Sequence, residues 1–317
     1  MYQLYIYMTT SSRGKYIIVI GGGLAGLTSA ITIAEEDVNN KVLLIEKEGV
    51  LGGNSAKASS GINGTETNLQ IHKGIDDTKA KFFMDTYKSS NTSSDQTKQL
   101  IGRLVLRSSS AINWLKNNKV IFNEVNLLGG HSVARTHRDS NQIHVGSYII
   151  NTLVERAQSM ENIKIMTGTS VDELLKHGDV VVGVRCDFKV IYADAIILAT
   201  GGFAHNFDMM ATYRPDISSL PTTNGKWALG DGINLSTDAG AALMDMEKIQ
   251  IHPTGFVDIN DKDNRTKYLA AELLRGIGGI LLNTNGDRFC NELGTRAHIT
   301  DTMINQDQQK KEFILMI

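Results

Sequence analysis

The sequence predicts an α/β protein with a Rossmann-like core, and three observations carry that expectation. An apolar run, Tyr16-Ile-Ile-Val-Ile20, is followed at once by the glycine turn Gly21-Gly-Gly23-Leu-Ala-Gly26. A helical stretch continues to about Glu36, and a second apolar run, Val42-Leu-Leu-Ile45, ends in Glu46. Further along, Ala195-Ile-Ile-Leu-Ala-Thr-Gly-Gly202 again has the form of a buried strand ending in glycines, the place where open α/β sheets hold ligands.

Each part of the first unit has a physical reason. A continuous apolar run suits a parallel strand covered on both faces. Gly21 permits a tight turn, Gly23 lets the backbone approach a pyrophosphate, and Gly26 lets the helix pack close to the strand. The helix N-terminus can then receive the phosphate charge. Glu46 lies twenty residues after Gly26, where a carboxylate can accept hydrogen bonds from a ribose. Together these offsets describe an adenine-dinucleotide site; the alternative is a structural glycine turn.

After the second strand, Gly52 to Gly64 is rich in glycine and serine. It is too polar for core and too small in its side chains for a packed helix, so its backbone can come close to a flat ligand. A helical region is expected from about Asp76 to Asn118. Within it, Asp95 to Lys116 carries Leu100, Leu104, Ile112 and Leu115 at helical spacing. Another helix is expected from about Gly146 to Met160. Val180-Val-Val-Gly-Val184 and Lys189-Val-Ile-Tyr192 read as a β-hairpin around Cys186 and Asp187.

The 317 residues, 41% hydrophobic, can bury a large core and are expected to form one large domain plus part of another. A net charge of −2 gives no electrostatic argument for nucleic acid or an anionic membrane. No apolar run approaches the roughly 20 residues of a membrane span. Met1 to Met8 is apolar but has neither a basic start nor a clear cleavage site, so residues 1–14 are expected to be a leader, with Met8 as an alternative start. Without a clear targeting signal, the expected location is cytoplasmic or mitochondrial. Cys186 and Cys290 match no zinc, haem or iron–sulfur spacing and are expected to be reduced thiols. His131, His137 and His144 suit no ligand spacing either, and no metal is expected.

With these blocks in view, the chain from Lys15 to about Ile304 resembles the soluble fumarate reductase flavoprotein family. The blocks are Val19-Ile-Gly-Gly-Gly-Leu-Ala-Gly26, Ile45-Glu-Lys47, Gly52-Gly-Asn-Ser55, Gly129 to Arg138, Ala199-Thr-Gly-Gly-Phe203, Gly230-Asp-Gly232, His252-Pro-Thr254, Leu274-Arg-Gly276 and Asn291 to Arg296. Several are shared with succinate dehydrogenases, aspartate oxidases and ketosteroid dehydrogenases. The resemblance implies FAD held by Gly21, Gly23, Ala25 and Gly26 at the pyrophosphate and Glu46 at the ribose. It places Asn54, Ser55 and Gly61 near the isoalloxazine, with Ala199 and Asp231 completing the cradle. Membrane-bound relatives attach flavin through a histidine in the segment that here runs from Gly52 to Gly64. None occurs there, the nearest being His72, so the FAD is expected to be non-covalent. Arg135 and Arg138 are expected to form a structural or flavin-edge cluster.

The same resemblance implies reduction of fumarate to succinate by hydride transfer from reduced FAD. Negative charge that develops on a substrate carboxylate needs fixed donors, and the second carbon needs a proton. His252 matches the histidine that binds a substrate carboxylate, Arg296 the proton donor, and Glu272 and Arg275 the relay that reprotonates it. Arginine is ordinarily always charged, so such a role requires a relay and close placement. Read locally, His252 could close a turn before Pro253, Glu272 and Arg275 could be a surface helix pair, and Arg296 could pair with Glu292 at i,i+4.

Two departures from the family matter. Ala297 follows Arg296 where many relatives have aspartate, which is expected to loosen the donor. The family also continues for well over a hundred further residues, with a second substrate histidine, a second substrate arginine and a closing strand, and those have no matching position here. The expected layout is therefore an FAD-binding domain at 15–246 with a β-hairpin insertion, then the first part of an α+β capping domain at 247–317. Alternatives are another flavin enoate reductase or dehydrogenase, an aspartate oxidase-like enzyme, or an inactive truncated flavin-binding fragment. The expected partners are a small dicarboxylate and, in the absence of a haem motif, electrons from NADH, a reduced flavin or a redox partner.

Overall fold

The strand, turn, helix and strand expected near the start of the chain form as β1 (Tyr16–Ile20), α1 (Leu24–Glu36) and β2 (Lys41–Ile45). The computed structural model describes residues 14–90, 94–142, 144–306 and 314–316. All but the last residue of the expected leader therefore lies outside the described residues. The chain divides into two compact units, each drawn from three separated stretches.

The first unit takes in the chain up to Gly53, Leu153–Phe203 and Trp227–Met244. Its centre is a four-stranded, all-parallel sheet in the order Ala195–Leu198, β1, β2, Ile163–Met166. Ile18 and Val19 are fully buried, as are Leu27, Ala30 and Ile31 on α1. The first two apolar runs are thus covered on both faces, as their lack of alternation implies. Ala195–Leu198, expected to be buried, is instead an edge strand of the sheet with Ala195 and Leu198 exposed. Helix α1 turns the stripe Leu27, Ala30, Ile31 and Ala34 to the core, the i, i+3, i+4, i+7 spacing of an amphipathic helix.

The expected hairpin is present within a larger antiparallel sheet of Glu173–His177, Val180–Cys186 and Lys189–Tyr192. Asp187 makes its tight turn at φ +51°, a conformation that aspartate tolerates better than most residues. The strand Glu173–His177 escaped the sequence reading because its charged and mostly exposed side chains give no clean alternation. Cys186 is a free thiol packed with Ile18, Ile45, Val184 and Leu235, and that burial pushes its pKa up.

The second unit comprises Asn54–Thr152, Ala204–Lys226 and Asp245–Ile317. The region read as helical from Asp76 to Asn118 is two helices, Lys79–Ser90 and Asp95–Asn117. Ser94 caps the second, accepting a hydrogen bond from Thr97 N at 3.1 Å. The register of its buried face corrects the expected one. Ile112 and Leu115 are buried, but Leu100 and Leu104 are 61% and 53% exposed, and Ile101 and Val105 replace them in the core. Both frames have helical spacing, and Phe82 on the preceding helix packs against Ile101 and Val105. The helix expected at Gly146–Met160 is found at Val145–Gln158.

Arg135 belongs to the structural alternative. It is fully buried, donating to Asp77 Oδ1 at 2.9 Å and Asp85 Oδ2 at 2.7 Å. Burial pushes the Asp85 carboxyl up, but hydrogen bonds from Ser132 and the Arg135 charge outweigh it and hold it below the usual carboxylate range. Among the described residues, no helix is long and apolar enough to cross a membrane, and no group of His, Cys, Asp and Glu could hold a metal ion.

Candidate active site

In the first unit the β1–α1 turn can be built only with glycine. Gly21 has φ +106°, and a Cβ on it would lie 2.3 Å from the Ala199 carbonyl oxygen. A Cβ on Gly26 would lie 1.8 Å from the Gly21 carbonyl. Gly23 precedes helix α1 and provides no side-chain cap, so Ala25 stands in an N-terminal turn open to an anion. Glu46 reaches back from the end of β2 to brace the turn. Its Oε2 accepts from Gly22 N at 2.7 Å and its Oε1 from Glu48 N at 2.8 Å. Ala199 extends the sheet by donating to Ile20 O at 2.7 Å. Asp231 sits in the first turn of the helix Asp231–Asp238 and pairs with Lys47. A glycine cradle at an uncapped helix N-terminus, braced by a carboxylate, fits the diphosphate and ribose of a dinucleotide.

The second unit contains a cavity of about 580 Å³. Asn54 and Gly61 line it, whereas Ser55 does not. Asn54 is held by its own surroundings, donating to Asn224 Oδ1 at 2.8 Å and accepting from Gly225 N at 2.9 Å. Gly61 has φ +136°, and a Cβ there would meet the His137 carbonyl at 2.4 Å.

His252, Glu272 and Arg296 line the same cavity, together with His131. The helix Glu272–Gly276 is buried at both Glu272 and Arg275, which rules out a solvated surface pair. Arg296 begins the helix Arg296–Gln306. Its Nη2 and Nε donate to Glu272 Oε2 at 2.8 and 3.2 Å, and its Nη1 to Gln250 Oε1 at 2.8 Å. The alternative pair with Glu292 does not form, because Arg288 Nη2 holds Glu292 Oε2 at 2.6 Å.

Arg275 stands behind this pair, away from the cavity wall. Its Nη2 lies 3.7 Å from Glu272 Oε1, and its Nη1 donates to Glu292 O at 2.8 Å. Its Nε and Nη2 have no hydrogen-bond partner among the described residues. Burial lowers its pKa against the opposing charge of Glu272. The result is an Arg–Glu–Arg line that runs inward from the cavity, and such a line can pass a proton if its outer guanidinium gives one up.

His252 Nδ1 lies 2.9 Å from Thr254 O. A carbonyl only accepts, so this nitrogen carries the ring proton and Nε2 is left unprotonated. Burial and the Arg296 charge push the ring pKa down to about 4, against the Thr254 carbonyl. The turn before Pro253 and the cavity role therefore coexist in one residue.

Gln250 was not legible in the sequence. An uncharged side chain two residues before His252 gives no motif, and only the fold shows that it holds Arg296. It anchors the guanidinium that the Ala297 departure was expected to loosen.

The FAD binding domain family model matches residues 16–315. Fumarate reductase 1 of Saccharomyces cerevisiae is 41% identical over 296 residues, covering 90% of this chain and 62% of that protein. NADH:fumarate oxidoreductase of Klebsiella pneumoniae is 40% identical over 293 residues, covering 91% of this chain and 30% of that protein. The open conformation of a flavocytochrome c3 fumarate reductase has a TM-score of 0.76 at 29% identity, over 94% of this chain and 52% of the other. The chain thus spans less than two thirds of the length of each.

Proposed function

We propose, since the chain belongs to the FAD binding domain family, that it reduces fumarate to succinate with Arg296 as the proton donor. The observation that carries this reading is the placement of Arg296, Glu272 and His252 on one cavity, with Arg296 fixed by Glu272 and Gln250.

Bound and reduced, FAD supplies a hydride to one alkene carbon. His252, once it takes up a proton at Nε2, and the Arg296 guanidinium offer the polar contacts that orient a carboxylate and stabilise the charge developing on it. Arg296 hands its proton to the other carbon, and Glu272 with Arg275 behind it forms the relay that returns one to Arg296. The buried position of Glu272 and the constrained guanidinium provide the close placement that an arginine donor needs. The turn at Gly21, Gly23, Ala25 and Gly26 would hold the diphosphate of FAD and Glu46 its ribose, with Asn54 and Gly61 the residues that would bind the isoalloxazine. The FAD is held non-covalently, since Gly52 to Gly64 offers no histidine for attachment. Electrons come from NADH, a reduced flavin or a redox partner. The similarity to the NADH:fumarate oxidoreductase of Klebsiella pneumoniae favours NADH.

The test is to load the purified protein with FAD, reduce it anaerobically and add fumarate. Reoxidation of the flavin with stoichiometric succinate is expected. A bound flavin that stays reduced in the presence of fumarate contradicts the reading.

A further inference from the structure

One wall of the cavity bears on the Arg–Glu–Arg line without contributing a functional group. Gly129 lines the cavity at the start of the turn Gly129-Gly-His131, and its missing side chain is the feature of interest. A Cβ on Gly129 would lie 2.8 Å from Glu272 Oε1, 2.8 Å from Gly294 O and 3.4 Å from Arg275 Nη1. The first atom belongs to the carboxylate that holds Arg296, the second to the backbone two residues before Arg296, and the third to the inner guanidinium. The turn is also fixed in place. Gly130 N donates to Leu293 O at 2.9 Å, so the backbone of Gly129 cannot retreat without breaking that bond.

We infer that Gly129 is a positioning residue for the reduction, whose absent side chain leaves the Glu272 carboxylate the room to stand between Arg296 and Arg275. Contacts below about 3 Å must be relieved by movement, and of the three neighbours the Glu272 carboxylate moves most easily. A methyl group on Gly129 therefore displaces Oε1, and with it the oxygen that holds Arg296. This inference rests on the proposed function for its kinetic consequence, but its packing consequence does not depend on it.

The experiment is a double-mutant cycle with Gly129→Ala and Glu272→Asp, read on the FAD-loaded protein by kcat for fumarate and by the midpoint of thermal unfolding. Aspartate is one methylene shorter and withdraws the carboxylate from the new methyl. Gly129→Ala alone is expected to lower kcat at least about tenfold, with KM within about twofold and the flavin spectrum unchanged, the pattern of a lost transition-state interaction. In the Glu272→Asp background the same substitution is expected to cost less than about threefold in kcat and a smaller drop in midpoint. Gly102→Ala, at an open helix position with no atom near the added Cβ, serves as the control for a mere glycine effect.

Equal costs in both backgrounds would overturn the inference, because the clash would then lie with Gly294 alone. Failure of Gly129→Ala to fold in either background would overturn it for the same reason. If the parent protein does not reduce fumarate, the proposed function fails, and the midpoints still decide the role of Gly129.

Discussion

Glu272 holds Arg296 through one carboxylate oxygen, Oε2 at 2.8 Å from Nη2, and faces Arg275 with the other, Oε1 at 3.7 Å. One buried carboxylate thus serves two guanidinium groups, one on the cavity wall and one in the interior. Removing its charge leaves both cations uncompensated, a larger effect than breaking an exposed pair.

Glu272→Gln keeps the shape of the side chain and removes that charge. The expected result is a loss of about 3 kcal/mol in unfolding free energy, in line with removing one partner of a buried pair. Turnover with fumarate is expected to fall at least about hundredfold, because the amide cannot return a proton to Arg296. Urea unfolding and steady-state kinetics check the two parts separately.

His252 sets a pH dependence with a definite sign. Its ring pKa of about 4 lies below the ordinary value of 6.5, so the free site holds a neutral ring at pH 7 whose single proton is engaged with Thr254 O. Donating Nε2–H to a carboxylate then requires proton uptake. Affinity for a dicarboxylate such as succinate is expected to rise as pH falls from 8 to 5, approaching about tenfold per unit. His252→Gln is expected to flatten that slope. The same depressed pKa acts on stability with the opposite sense: the unfolded ring takes up a proton below about 6.5 and the folded one only near 4, so the contribution to stability is lost on acidification through that window. Calorimetric titration in buffers of different ionisation enthalpy measures the proton uptake directly.

Glu46→Ala removes both bonds that brace the glycine turn, at 2.7 and 2.8 Å. FAD is expected to bind roughly tenfold more weakly, as for loss of one or two charge-assisted hydrogen bonds. Fluorescence titration with FAD reads this out, and unchanged affinity would remove Glu46 from the cradle.

The helix Asp95–Asn117 separates what pattern reveals from what packing decides. Ile101→Ala is expected to cost about 2–4 kcal/mol as a core truncation. Leu100→Ala is expected to stay within about 0.5 kcal/mol, as an exposed change does. Chemical denaturation of the two variants distinguishes the frames.

That contrast shows where sequence reasoning reached its limit. The β1–α1–β2 unit was legible because glycine is the only residue that fits at Gly21 and Gly26, and because runs buried on both faces lose their polar alternation. The helix existed as expected, but apolar residues in two adjacent frames satisfied the same period, and only the partner Phe82 selected Ile101 and Val105. At the site, His252, Glu272, Arg275 and Arg296 were readable as a constellation through the family resemblance. Their ordering was not, since nothing local shows that Arg296 turns to Glu272 rather than Glu292. Gln250 and Gly129 act through contacts distant in sequence, one as a neutral acceptor and the other as a missing atom, and neither carries a chemical signature.

The central claim is that Arg296 delivers the proton, and single-turnover reoxidation of the reduced, FAD-loaded protein by fumarate tests it most directly. Arg296→Ala is expected to bind FAD with an unchanged spectrum and to reoxidise at least about a hundredfold more slowly than the parent, the scale of a lost general acid. Reoxidation of Arg296→Ala at the parent rate, with succinate still formed, would contradict the account.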